Sequence, residues 1–248
     1  MIVALLLGRK GSVGFAGKNL YPVLGRPLMF YPMDAALKTK SIGRVYISTD
    51  DERIMEVGRQ HGARIIVRPP ELCTKEALGE DAYVHGYQTI KKELEAEGEQ
   101  IELMVLLFCN APMVTPTLIE QGIRALRENP EYDSAITVSR YNMWSPLRAR
   151  RIGGDGLLHP FVPLEAIGDP KKLNCDRDSQ GDVWFADVCL SIVKPRCLEN
   201  IHSGQLPQKW MGQKIYPLKS EAGLDVDYEW QLPQVEYWLK KNGYSQAK

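Results

Sequence analysis

Ile2-Val3-Ala4-Leu5-Leu6-Leu7-Gly8-Arg9-Lys10-Gly11-Ser12-Val13-Gly14-Phe15-Ala16-Gly17-Lys18-Asn19 is the stretch from which the fold is read. It opens with an apolar run, Ile2–Leu7, that no polar residue interrupts, as in a strand covered on both faces. A loop with four Gly and three cations follows at once. Beyond it, apolar runs and helical patterns alternate. The runs predict strands at Val45–Ile47, Arg64–Val67, Leu103–Phe108 and Ala135–Val138. The helical patterns start at Pro27, at Glu52 (to His61), near residue 78 (to 97) and at Pro116 (to Glu128), with Thr115 as an N-cap before the proline. Strands alternating with helices predict an α/β fold, a mostly parallel Rossmann-like sheet with right-handed crossovers. Ligands of such sheets bind at the carboxyl ends of the strands. Here those ends carry Gly8–Asn19, Asp50, Arg68 and Cys109–Pro112.

The alternation stops after Arg140. Residues 141–182 are rich in Gly, Pro and charge and show no helical period. So long a structureless stretch inside one domain reads as a functional insertion or arm. Strand patterns return at Val183–Val193 and Lys214–Leu218, and a last helix is expected over Glu229–Lys241. The reading is one domain, 1–248, with 141–182 as an inserted arm.

Composition narrows the function. With 31 Lys+Arg against 31 Asp+Glu, the formal net charge is zero. General attraction to nucleic acid or to anionic lipid is therefore not expected, and any anion must be held by a local cluster of cations. The five Cys (73, 109, 175, 189, 197) form no CxxC pair and have no His at zinc-finger spacing. They read as reduced thiols of a cytoplasmic protein. Arg9 and Lys10 follow the apolar run rather than precede it, which is too short for a membrane span and the wrong order for a signal peptide.

Such a local cluster exists. Arg9, Lys10 and Lys18 lie close together and repel unless an anion sits among them. The glycines allow backbone amides to turn toward that anion. Two common phosphate loops do not fit. Counting back from Gly17-Lys18, the P-loop's first Gly would be Ser12, and Asn19 replaces its Ser/Thr. The dinucleotide fingerprint needs a GxG that the loop lacks. A longer, more cationic loop suits a triphosphate whose pyrophosphate leaves.

At the far end, Asp225 and Asp227 are two apart, so both project to one side of an extended segment. Paired carboxylates suit a hard cation such as Mg²⁺ that shares substrate phosphates. Asp227 capping the last helix, with Asp225 solvated, competes with that reading, and one Asp can do each job.

Together, Gly8-Arg9, Gly11-Ser12, Gly14 and Lys18-Asn19, then Leu24-Gly25-Arg26-Pro27-Leu28, Ile47-Ser48-Thr49-Asp50, Arg68-Pro69-x-Glu71-Leu72 and Asp225-Val226-Asp227 resemble the acylneuraminate cytidylyltransferase family, the CMP-sialic acid synthetases. The resemblance runs along nearly the whole chain in order. It implies a nucleotidyltransferase-type three-layer fold and a Mg²⁺-dependent reaction. In that reaction the anomeric hydroxyl of a 3-deoxy-ulosonic acid (sialic, legionaminic, pseudaminic or Kdo-like) attacks the α-phosphorus of CTP, giving a CMP-sugar and pyrophosphate. It implies that Arg9, Ser12 and Lys18 hold phosphates, with Gly8, Gly11, Asn19, Arg68 and Asn110 also at the nucleotide. Arg9, Lys18, Asp225 and Asp227 become the catalytic residues, and the two Asp the metal ligands. Arg148, Arg177 and Asp187 fall at sugar-site positions. The arm, with Trp144, Leu157, Leu158, Phe161, Val162 and Leu164, is implied to pack on a second subunit of a homodimer.

The chain also departs from the family pattern. Val13 stands where the family has Lys, the Gln of its fourth-strand segment is absent, and Asn110 replaces the metal-binding Asp of the Kdo-specific neighbours. Two other readings stay open: a nucleotidyltransferase using another nucleoside triphosphate or a sugar phosphate, and a nucleotide-sugar-binding homologue with impaired catalysis.

Overall fold

The computed structural model describes residues 1–11, 14–174, 176 and 181–247. Among them, seven strands form one sheet: β1 (Ile2–Leu7), β2 (Arg44–Thr49), β3 (Arg64–Val67), β4 (Leu103–Phe108), β5 (Ser134–Arg140), β6 (Trp184–Val193) and β7 (Ile215–Ser220). Their order in space is β7-β5-β6-β4-β1-β2-β3. The helices are α1 (Phe30–Lys38), α2 (Glu52–Gln60), α3 (Gly79–Ala96), α4 (Pro116–Glu128), α5 (Pro195–Glu199) and α6 (Leu232–Lys241).

The unbroken apolar run of β1 has a direct cause. Every residue of the strand is buried, and it pairs in parallel with β2 on one side and β4 on the other. Successive side chains point to opposite faces. Ile2, Ala4 and Leu6 enter the core shared with Met33 of α1, Ile54 of α2, Ile119 of α4 and Val235 of α6. Val3, Leu5 and Leu7 enter the core built with Tyr83, Tyr87 and Ile90 of α3 and Leu198 of α5. Helices on both faces make three layers.

The sheet is mostly parallel, as expected. Its antiparallel member is β6, which comes from Val183–Val193, runs opposite to both neighbours and wedges between β4 and β5. An apolar run carries burial and not direction, so the sequence pattern did not say which strand would be reversed. β6 also has a register break between Ala186 and Ser191, where Val188 takes a left-handed φ of 53°. That bulge re-aims Asp187. The last helix is also shorter than expected: Glu229–Gln231 is a 3₁₀ turn, and α6 starts at Leu232 with Pro233 in its first turn, where its missing N–H costs nothing.

The inserted segment holds short 3₁₀ turns and one antiparallel pair, Arg150–Ile152 with Leu158–Pro160. Trp144, Leu157, Leu158 and Phe161 are each 60–71% exposed on it. Among the described residues no helix is long and apolar enough to cross a membrane, and Cys73, Cys109, Cys189 and Cys197 form no disulfide.

The turn from β2 into α2 yields a stability prediction. Asp51 caps α2, accepting from Arg53 N at 2.9 Å, and is only 6% exposed. Burial opposes its charge, but the Arg53 side-chain and backbone hydrogen bonds outweigh burial and hold the carboxyl below its ordinary 3.8. Asp51→Ala should cost about 1–2 kcal/mol in urea unfolding at neutral pH. A depressed carboxyl pKa adds stability that is present above the unfolded value and lost as pH falls through the folded one. The difference between wild type and variant should therefore shrink on acidification below about pH 4.

Candidate active site

The Gly-rich loop is fastened where three strands end. Gly8 N donates to Ser48 O of β2 at 3.2 Å, and Cys109 N donates to Leu7 O at 2.9 Å. A Cβ on Gly8 would lie 2.7 Å from Cys109 Sγ, so the strand ends leave no room for a side chain. Lys10 N donates to the Asp50 carboxylate at 2.8 Å. Asp50 therefore serves as the anchor of the loop. Further along, a Cβ on Gly14 would lie 2.8 Å from the carbonyl oxygen of Asp227, and this close approach joins the two ends of the chain.

Lys18 and Asn19 sit in a 3₁₀ turn and are both buried. Lys18 Nζ donates to the Asp227 carboxylate in an ion pair spanning 209 positions of sequence. Asn19 Nδ2 lies 3.4 Å from Arg9 O, and the Arg9 guanidinium donates to Thr74 O. Gly11 takes a φ of 80°. Ser12 and Val13 lie outside the described residues.

These groups surround a cavity of about 550 Å³. Its polar lining includes Gly8, Arg9, Lys18, Asn19, Asn110 and Asp227, and its apolar lining Leu72, Leu78, Ala82 and Phe108. Arg68 lies on its wall, 6% exposed. Its Nε donates to Ser48 Oγ at 3.2 Å and an Nη to Ser48 O at 2.7 Å. Burial pulls its pKa down, yet a guanidinium stays charged at any working pH. The lining thus combines cations and amides with apolar side chains, a composition suited to phosphates attached to a flat base.

The acidic segment, residues 223–228, has no strand partner and is held by side chains. Asn110 Nδ2 donates to Val226 O at 3.1 Å, while Val226 N donates to Asn110 O at 2.8 Å. The Gln231 side-chain oxygen accepts from Asp227 N at 2.7 Å and Tyr228 N at 2.8 Å. Gln231 therefore does the local fastening, and the Asp227 carboxylate turns to Lys18. Burial, and then the neighbouring Asp227 charge, raise the Asp225 pKa, with Lys18 acting in the opposite direction. Two like charges at a half-buried site favour a counter-cation there.

Asp187 lies deeper. It is 8% exposed, and its carboxylate accepts from Thr137 and Ser139 hydroxyls at 2.5 Å each and from Cys189 N at 3.1 Å. The structure places it under the acidic segment and not on the cavity wall. Arg148 lies on the arm, beside a separate hollow shared with Leu164 and Leu173, so a single chain does not bring it to the cavity. Arg177 lies outside the described residues. Sequence reasoning missed Phe108, Tyr228 and Gln231, whose residue types carry no site signal. It also missed Thr137, Ser139 and Tyr141, although hydroxyls at a spacing of two in a strand mark one face.

Among the described residues, no three or more His, Cys, Asp or Glu side chains converge as a metal site. Asp225 and Asp227 are a pair of oxygen donors, which fits a cation such as Mg²⁺ that takes one or two carboxylates plus phosphates.

A family model described as cytidylyltransferase matches residues 3–151. N-acylneuraminate cytidylyltransferase A of Danio rerio is 24% identical over 98% of this chain and 52% of its own length. N-acylneuraminate cytidylyltransferase of Escherichia coli O18:K1:H7 is 28% identical over 57% of this chain and 32% of its own. The 8-amino-3,8-dideoxy-manno-octulosonate cytidylyltransferase of Shewanella sp. (strain W3-18-1) is 26% identical, over 61% of this chain and 60% of its own. The chain thus spans about a third to three fifths of the length of these curated relatives. Among solved structures, CMP:2-keto-3-deoxy-manno-octonic acid synthetase complexed with CTP superposes with a TM-score of 0.67 at 17% identity, covering 97% of this chain and 99% of its own. The 4-diphosphocytidyl-2C-methyl-D-erythritol synthase of Anaerococcus prevotii gives 0.62 at 14% identity, with 96% of each chain covered. These two share the fold described above.

Proposed function

The chain belongs to the cytidylyltransferase family, and we propose that it transfers CMP from CTP to the anomeric hydroxyl of a 3-deoxy-ulosonic acid with release of pyrophosphate. The observation that carries this reading is the Lys18–Asp227 contact. It joins a cationic Gly-rich loop to the segment that carries Asp225 and Asp227, and of these two Asp227 lines the cavity.

In this reading Arg9 and Lys18 take the negative charge of the triphosphate, with loop amides beside them. Arg68, Asn19 and Asn110 orient the nucleotide along the apolar lining. The sugar hydroxyl gives up its proton to solvent as its oxygen bonds to the α-phosphorus, the bond from that phosphorus to the bridging oxygen breaks, and pyrophosphate leaves with the electron pair. Such transfer needs charge neutralisation and in-line placement more than covalent help from the protein. Asp225 and Asp227 would hold Mg²⁺, which when bound offsets phosphate charge.

The test is pyrophosphate release with each of the four ribonucleoside triphosphates against sialic, Kdo and 8-amino-Kdo-type acids. Release is expected with CTP and one of these acids, in the cytoplasmic setting the composition suggests. Release only with another triphosphate and a sugar phosphate, or none at all, would overturn the reading.

The same reading includes a homodimer in which the exposed apolar arm packs on a second copy and carries Arg148 toward the sugar carboxylate. Large exposed apolar patches mark interfaces, and Arg suits a carboxylate through paired hydrogen bonds. Arg148→Ala should raise the KM for the sugar about 10-fold with the KM for CTP nearly unchanged. Sedimentation should give a dimer at micromolar concentration, and a monomer there would remove the arm from the site.

A further inference from the structure

Residues 221–228 cross the carboxyl edge of the sheet as irregular backbone, yet they carry Asp225 and Asp227. Irregular backbone holds a side chain in place only if its own polar groups are tied down. Asn110 and Gln231 tie the half from Val226 onward; the half before Asp225 is held from one face of β5 and from the β6 bulge. Thr137, Ser139 and Tyr141 are spaced by two along and just beyond β5, so their side chains share a face. The Tyr141 hydroxyl is 3.1 Å from Gly223 O, to which it donates, and 3.4 Å from Gly223 N, from which it accepts. Thr137 and Ser139 hold the Asp187 carboxylate from the same face. That carboxylate forms the floor under Gly223, where a Cβ would lie 2.4 Å from it. From the bulge of β6, Cys189 Sγ lies 3.5 Å from Leu224 O.

We propose that this hydroxyl ladder, with Asp187 and Gly223, is a positioning device for Asp225, and that Tyr141 and Asp187 are positioning residues that do not touch substrate. The inference rests on the reading of Asp225 as a reacting-site carboxylate. A glycine is required at 223 because the chain must lie directly on the buried carboxylate. Gly223 and Leu224, the two residues before Asp225, are gripped through their backbone. The ladder thus sets where the Asp225 side chain starts. Displacing a reacting group by about 1 Å can cost on the order of 100-fold in rate, so small losses of hold should be visible in turnover.

Tyr141→Phe removes one oxygen and keeps the ring against Phe185 and Trp144. Two readouts are needed, amide hydrogen exchange on the free protein and steady-state pyrophosphate release. Exchange at Gly223 to Val226 should rise about 10-fold in the variant, with the central strands β1 and β4 unchanged. The kcat should fall about 10-fold with the KM for CTP within twofold of wild type. A second pair separates hydroxyl from packing. Thr137→Val keeps the shape and loses the hydroxyl, so it should show the same pattern, whereas Thr137→Ser should retain wild-type turnover. Unchanged exchange in Tyr141→Phe would overturn the device itself. Raised exchange with unchanged kcat would reduce it to a structural tie and overturn its role in the reaction. A wild type inert with CTP would sink the proposed function instead, and the exchange result would still decide whether the ladder holds the segment.

Discussion

Asp225→Asn is expected to lower kcat by about 10³-fold, roughly 4 kcal/mol, with Mg²⁺ dependence weakened or lost. The substitution keeps shape and polarity and removes one charge. Burial and the Asp227 charge already disfavour that charge in the free protein. In the proposed function, a cation with its triphosphate would offset that penalty. The variant should therefore fold as well as wild type or better in metal-free buffer, since the repulsion with Asp227 is gone. Loss of turnover with an unchanged or raised melting temperature is the expected pair of results. Asp227→Asn should act in the same direction. Full activity of wild type in EDTA would exclude the metal role.

Lys18→Met should lower kcat/KM by about 10²–10³-fold, the cost of about 2.7–4 kcal/mol for one preorganised transition-state donor. Lys18 is buried, while the Asp227 side chain it faces is 50% exposed. Removing the lysine leaves a carboxylate that water can still solvate, so the fold should survive. That distinguishes the effect from loss of a core ion pair, which would strand a charge. Arg9→Ala should behave similarly, because the Arg9 guanidinium spends a hydrogen bond on Thr74 O but forms no ion pair among the described residues. Normal turnover in both variants would remove the loop from the phosphates.

Much of this was legible in the chain because the signals were local. Ile2–Leu7 is buried on both faces, and a buried strand has no other way to read than as an unbroken apolar run. Thr115-Pro116 marks the start of α4, with the Thr115 side chain accepting from Leu118 N at 3.2 Å. Gly8, Arg9, Lys18 and Asn19 line one cavity, and the sequence singled out their loop because glycine and charge gather in it. What the chain could not show depends on pairing at long range. The direction of β6 rests on its neighbours, since Val183–Val193 would look the same in either orientation. The place of Asp187 rests on a bulge whose left-handed residue is Val188, a residue type that gives no warning of such a turn. Asn110 was read as a nucleotide contact. It does line the cavity, yet its amide nitrogen is given to Val226 O, a bond that joins positions 116 apart.

The wedge position of β6 has a consequence for the order in which the molecule can assemble. β1, β2, β3 and β4 are neighbours in an unbroken four-strand sheet, and all lie before residue 109. β5 follows in sequence but pairs only with β6 and β7. A chain emerging from the ribosome therefore makes β5 well before it has anything to join. Domains fold as their parts become available during synthesis, and pairing at long range is slow. Arg9 and Arg68 have their partners, Thr74 and Ser48, while Asp225 is still unmade, whereas Lys18 and Asn110 wait for Asp227 and Val226. The grip on a triphosphate is begun first, and the carboxylates arrive only when β6 has closed the gap and β7 has docked beyond it.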